Sequence, residues 1–389
     1  MRPFEGIRVI DLTHVFAGPF CTFQLAMLGA DVIKVEGPDH PDMVRFEGGD
    51  AGLNAAGMGT SYQSQNAGKR AIALDLKSES GRAAMRRLIG IADVLVMNYA
   101  GEAAKQMGVD PAVTQAINPK LIHCTLTGYG RTGPKADHPA YDNVIQAYSG
   151  LMAGNGTPDT GPVRIGPAVV DYGTGAQAAL AVSAALFQRE RTGRGQVIDV
   201  AMVDAAMMLM AASVTDTIAT GEPPARTGNI NPNYAAYRTF DTAEGLLMVG
   251  AFTNAQHAAL YDFLGEHARA AEVRAQTRND LIARIAEDSL MLERHFLVRT
   301  ADEWEKVLNA VHIPAARVRT VAEALQEPQV RSRMIMQSQE GDGDNLPELP
   351  VAAFGFAESG PSLDRPVAAH GQHTDEILKE LGLRDADID

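Results

Sequence analysis

GIRVIDLTHVFAGPFCTFQLAMLGADVIKVE, from Gly6 to Glu36, decides the fold. RVIDL (Arg8 to Leu12) is a short apolar run of strand character. A helical stretch through Phe20 to Leu28 stops at Gly29, and DVIKVE (Asp31 to Glu36) is a second strand. Two strands joined by a helix form a parallel crossover unit. The rhythm continues outward: AIALDL (Ala71 to Leu76) precedes a helix opened by Ser78, a residue suited to capping. DVLVMNY (Asp93 to Tyr99), LIHCTLTGYG (Leu121 to Gly130) and VIDVAM (Val197 to Met202) follow, separated by helix-length segments. Short buried strands alternating with helices predict an α/β protein with a Rossmann-like parallel sheet. Glu36 at the end of the second strand invites a dinucleotide reading. The turn THVFAGPF (Thr13 to Phe20) lacks the glycines that let a backbone approach a pyrophosphate, so no nicotinamide is expected.

The character changes at GEPPARTGNINPNY (Gly221 to Tyr234), which has the composition of a linker. A strand at LLMVGAF (Leu246 to Phe252) and helices through Trp304 to Leu308 and Val321 to Leu325 predict a smaller α+β domain. Ser338 to Arg365 is loop-rich, and HTDEILKELGL is a short helix opened by Thr374 or Asp375. The expected division is 1–220 for the first part of a large domain, 221–330 for the small one, and 331–389 returning to the large one.

The chain has 389 residues, 46% hydrophobic and 21% charged, with a net charge of −14. That acidity opposes a nucleic-acid partner, which requires clustered Lys and Arg, but leaves room for a phosphorylated ligand held by a few local cations. The two cysteines, Cys21 and Cys124, make no metal spacing and fit a reducing compartment. The opening MRPFEGIRVIDL has no basic region followed by an apolar stretch, and no apolar run reaches ~20 residues. A cytoplasmic protein with no membrane partner is expected.

None of the ten histidines forms a ligand pair of the H-E-x-x-H kind, so no metal is expected. There is no nucleophile elbow and no P-loop. GKR (Gly68 to Arg70) and Lys77 read, by spacing alone, as ordinary solvated charge. In VRIGPAVVDYGTGAQAAL (Val163 to Leu180), Asp171 stands before a helix that runs to about Glu190. Its simplest reading is an N-cap. The small residues Gly173, Thr174, Gly175 and Ala176 leave space beside it. A helix N-terminus would favour its anion by ~0.3–1 kcal/mol and keep it ionised at neutral pH. An accessible carboxylate can attack an activated acyl group.

Taken in order, these segments resemble the class III coenzyme A transferases, the formyl-CoA and carnitine CoA-transferase type. The resemblance rests on the opening unit, NAGKRAIALDLKSESG, DVLVMNY…AAKQMGV, LIHCTLTGYG, VVDYGTGAQAAL, RTGRGQVIDVAMVDA and GQHTDEILKELGL, nearly the whole chain. It implies no permanently bound cofactor, with coenzyme A and acyl-CoA as substrates and carboxylic acids as partners. It implies a nucleophile at Asp171, a supporting Tyr141, and CoA contacts at Val15, Phe16, Leu74, Lys77, Asn98, Tyr99 and Met107. Gly173 and Gly175 would make room and donate N–H groups to an oxyanion. The resembling fold is a homodimer of interlocked rings.

The departures are informative. Phe16 and Gln106 stand where formyl-CoA transferases have glutamine and arginine, and their glycine-rich small-domain loop has no counterpart; both speak against formate and oxalate. Arg164, Asn233, Tyr234 and Arg238 would be contacts to a larger, carboxylate-bearing acyl group, with a structural role as the competing reading. Two alternatives share the pattern. One is an α-methylacyl-CoA racemase, whose histidine would fall at Tyr141. The other is an intramolecular transferase acting between two carboxyls of one acid.

Overall fold

The computed structural model describes residues 1–99, 101–339 and 346–383. It divides into two compact units. One comprises Met1–Met152, Arg164–Pro224 and the chain from Arg331 on; the other comprises Ala153–Val163 and Ala225–Val330. The short segment Ala153–Val163 interrupts the first unit in sequence and forms a hairpin in the second, where Gly228 N–H donates to Gly156 O at 2.8 Å.

The first unit is built on β1 (Arg8–Leu12), α1 (Ala17–Met27), β2 (Asp31–Glu36), β3 (Arg70–Ala73), α2 (Glu79–Ile91), β4 (Val94–Met97) and β5 (Ile122–Thr127). It continues through α3 (Asp142–Ser149), α4 (Val169–Thr192), β6 (Gln196–Ala201), α5 (Met202–Leu209) and α6 (Ala211–Thr220). The six strands pair in parallel in the order β3-β2-β1-β4-β5-β6. Both faces are covered, which is why the strands read as continuous apolar runs. Val9, Val32 and Val94 join one core with Cys21, Phe23 and Val182 from α1 and α4. Their neighbours Ile10, Ile33 and Leu95 point the other way, into a second core with Leu88 of α2. β3 ends at Ala73, sooner than the apolar pattern predicts, so Leu74 to Leu76 leave the sheet. The apolar stretch after β6 is also broken: α5 and α6 bend by 79°, and among the described residues no single helix is long and apolar enough to cross a membrane.

The second unit holds an antiparallel sheet of β7 (Tyr237–Asp241), β8 (Leu246–Gly250) and β9 (Ala315–Arg317). Phe240, Leu247 and Val249 pack with Tyr261, Phe296 and Trp304 from the surrounding helices. In the closing part of the first unit, α7 (Thr374–Glu380) lays Ile377 and Leu378 into the second core, with Thr374 Oγ1 accepting Ala73 N–H at 3.0 Å.

Candidate active site

In an open sheet of this order the strand sequence reverses between β1 and β4, and the crevice outside their carboxyl ends is where ligands bind. That crevice holds Asp171. Its cavity of about 90 Å³ is lined by His14 to Ala17 from the turn after β1, Asn98 after β4, Leu126 to Gly128 at the end of β5, and Tyr141 before α3. Four of the expected contacts, Val15, Phe16, Asn98 and Tyr141, thus gather round the expected nucleophile. Leu74, Lys77, Tyr99 and Met107 line a second cleft of about 340 Å³ at the carboxyl ends of β2 and β3. Tyr99 adjoins Asn98 in sequence, and its ring lies 5.1 Å from that of His14, which connects the two clefts.

Asp171 is not the N-cap of its helix. The helix α4 begins at Val169, its N-cap Ala168 offers no side-chain bond, and Asp171 is the third helical residue, 7% exposed. The cap comes from another element: Asp142 Oδ2 accepts the N–H of Val170 at 2.7 Å and of Asp171 at 3.0 Å. Gln146, one turn along α3, donates to Asp142 Oδ1 at 2.5 Å, and its own carbonyl accepts Ile165 N–H at 2.8 Å. A second carboxylate is therefore built in beside the first.

This corrects the expectation that the helix N-terminus keeps Asp171 ionised. Burial, and then the charge of Asp142, push its carboxyl up from 3.8 to about 7. The helix N–H groups that would have favoured the anion are already spent on Asp142. Near neutral pH the carboxylate and its conjugate acid are then both populated.

The two glycines also differ from expectation. Gly173 and Gly175 lie past the first turn, inside α4, where N–H groups pair with the carbonyl four residues back. A Cβ on Gly175 would stand 2.5 Å from Ala17 O, and one on Gly173 would stand 2.9 Å from Leu209 Cδ1. They make room for α1 and α5. Phe16 and Ala17, which line the cavity, carry free donors. Among the described residues, the N–H groups of Phe16, Ala17 and Gly18 at the start of α1 have no acceptor.

The turn that presents them is strained. Val15 has φ +68°, a conformation that costs a β-branched residue about 1–3 kcal/mol and persists only where surroundings enforce it. Asn98 helps by clasping the His14 backbone: its Oδ1 accepts His14 N–H at 3.1 Å and its Nδ2 donates to His14 O at 2.8 Å. Burial lowers the pKa of the His14 imidazole, and among the described residues its buried Nδ1 has no partner. Tyr141 is 60% exposed at the cavity mouth, while Lys77 is exposed at the rim of the second cleft.

Sequence reasoning missed His14, which looked like one scattered histidine among ten, and Asp142. No local signal marks a cap that acts on a helix more than twenty residues away in the chain. The expected acyl contacts have structural partners. Arg164 donates to Gly166 O at 3.0 Å. In the second unit, Arg238 pairs with Glu293 at 3.3 Å and the Tyr234 ring lies 4.7 Å from that of Phe252. Asn233 N–H donates to Asn231 Oδ1 at 2.9 Å in the same unit. Among the described residues no group of three or more His, Cys, Asp or Glu side chains could hold a metal ion.

Residues 4–374 match the family model described as CoA-transferase family III. The chain belongs to that family. Among the relatives of this CoA-transferase, the succinate–glutarate CoA-transferase of Agrobacterium fabrum is 35% identical, over 97% of this chain and 96% of that one. An acetyl-CoA:oxalate CoA-transferase of Acetobacter aceti is 34% identical, over 94% of each. More distant members carry names for succinyl-CoA transfer to glutarate, mesaconate and D-citramalate. A crystal structure of a CaiB/BaiF family protein from Brucella suis superposes with a TM-score of 0.83 at 31% identity, covering 98% of this chain and 99% of that one.

Proposed function

We propose that this CoA-transferase moves coenzyme A between carboxylic acids through covalent intermediates on Asp171, with a succinyl-CoA-type donor and a dicarboxylic acceptor. The observation that carries the reading is a buried carboxylate poised near neutral pH in the crevice, beside unpaired helix N–H groups and a cleft edged by Lys77. The Asp171 carboxylate attacks the thioester carbonyl carbon, the C–S bond breaks, and an acyl-aspartyl anhydride and CoA thiolate result. The thiolate then attacks Cγ of Asp171, releasing the first acid as its carboxylate and leaving an aspartyl-CoA thioester. The acceptor carboxylate attacks that Cγ and expels thiolate. The thiolate attacks the acceptor's acyl carbon, giving the new acyl-CoA and free Asp171. An anhydride keeps the activation that attack by water would dissipate.

In this reading Phe16 and Ala17 N–H groups stabilise the tetrahedral oxyanions, a role worth about 10²–10³ in rate per donor. Leu74, Tyr99 and Met107 pack against the CoA portion, and Lys77 takes a phosphate. The names of the relatives favour succinate-like donors; the one named for oxalate shows that the family reaches smaller acids too. A homodimer, with the interlocked rings of the family, fits the apolar residues left uncovered on α4 and α6, with Phe187 60% and Ile218 81% exposed.

The test supplies succinyl-CoA and glutarate labelled with heavy oxygen in both carboxylates, in deuterated water. One acceptor oxygen should remain on Asp171, read as a mass gain of the peptide carrying it. In a parallel reaction supplied with a 2-methyl-branched acyl-CoA, deuterium entering its α-carbon, with no label on Asp171 in the first reaction, would instead establish the racemase. Interconversion of the two CoA regioisomers of an unsymmetrical dicarboxylic acid, supplied with no free acid acceptor, would establish intramolecular transfer.

A further inference from the structure

Five consecutive main-chain polar groups of the turn after β1 are held by side chains. Thr13 N–H donates to Asp11 Oδ1 at 3.1 Å, and Thr13 O accepts Lys34 Nζ at 2.6 Å. Asn98 takes both groups of His14, and Val15 N–H is shared between both oxygens of Asp42 at 3.2 Å each. Lys34 and Asp42 form an ion pair at 3.0 Å with side chains 0% and 1% exposed. Neither reaches the cavity. Burial works against the charge on Lys34, and the surrounding carboxylates of Asp11, Asp42 and Glu36 outweigh it. Asp42 is itself anchored, its N–H donating to Glu36 Oε1 at 2.9 Å while Arg45 grips Glu36 through two nitrogens.

Such wiring is more than a loop needs to fold. It ends on Val15, the strained residue that sets the direction of the Phe16 and Ala17 N–H groups. We propose that Asp42 and Lys34 are positioning residues of the transfer reaction, a buried ion pair that holds Val15 left-handed and so fixes the donor wall facing Asp171. This rests on the reading of Asp171 as nucleophile. Released from Asp42, Val15 relaxes to negative φ, its peptide plane turns, and the α1 N–H groups leave the oxyanion position.

Asp42→Asn keeps the side-chain size and one acceptor oxygen but breaks the ion pair. With succinyl-CoA and glutarate as probes, kcat falls about 100-fold, the usual consequence of a misplacement near 1 Å, while KM for succinyl-CoA changes little. The same substitution is then made in a Val15→Gly background, where glycine adopts positive φ without steric cost. There the loss caused by Asp42→Asn shrinks to within about 10-fold. If Asp42→Asn does not fold, Lys34→Met with Asp42→Asn removes both charges together, a change buried pairs tolerate, and enters the same comparison. An equal loss in both backgrounds, or a raised KM with kcat unchanged, overturns the proposal. Label transfer to Asp171 is followed in the wild-type enzyme alongside. Its absence refutes the nucleophile itself, whereas its presence with equal losses refutes only the positioning pair.

Discussion

Asp171→Asn should stabilise the protein, and the gain should grow with pH. In the fold, burial and Asp142 raise the carboxyl from 3.8 to about 7. Because the folded value lies above the unfolded one, the native state binds this proton more tightly. The stability it confers is complete below 3.8 and is lost as pH rises through about 7. Asparagine has no proton to lose. At about 1.36 kcal/mol for each tenfold change in proton affinity, the variant should exceed the wild type by about 1.5 kcal/mol near pH 5 and about 4 kcal/mol near pH 8. Urea unfolding of both proteins at the two pH values reads the difference, with transfer activity abolished in the variant. A gap that stays constant between the two pH values, or a wild type that is the more stable at both, would refute the reasoning. An active-site group that destabilises its own fold when ionised is the expected cost of poising it for reaction.

Two further outcomes bear on the same crevice. Asp142→Asn leaves an oxygen to cap α4 but removes the charge beside Asp171, so the acid limb of kcat/KM should move from about pH 7 to lower pH; an unmoved limb would deny Asp142 a part in tuning. Gly175→Ala drives a methyl against Ala17 O, which is backbone and cannot swing aside. It should destabilise by about 1–3 kcal/mol, read as a lower melting temperature, and a neutral result would show that α1 and α4 can separate.

What could be read from the sequence was local. Arg8–Leu12 and Asp31–Glu36 are strands with the predicted bounds, because apolar runs flanked by Gly29 and Asp31 leave little ambiguity. Ser78 caps its helix as its type and place suggest, accepting Gly81 N–H at 2.9 Å. Asp171 stood out because small residues follow it, yet its place in the helix was misjudged. Val169 and Val170 look like the end of a strand, and only the distant Asp142 makes them the first turn. The conformation of Val15 was illegible for a related reason. Propensity forbids it, and the residues that enforce it come from β1, β2 and the loops after β2 and β4. That the two glycines sit against other helices was illegible too, because room for a ligand and close approach to a helix use the same missing Cβ.

The wiring of the Thr13–Val15 turn also divides the labour of the crevice between its walls. One side has its main chain committed to buried partners, so substitutions there disturb the reaction before they change which acid is accepted. On the opposite side, from Gly128 to the exposed Tyr141, the main-chain groups held by side chains among the described residues have partners that are not buried: Gly130 N–H donates to Thr127 Oγ1 at 2.9 Å and Arg131 N–H to Asp199 Oδ2 at 3.0 Å. A library seeking altered acyl preference belongs on that side. Chains that inherit this crevice can diversify in substrate along one wall while the other is kept as fixed machinery.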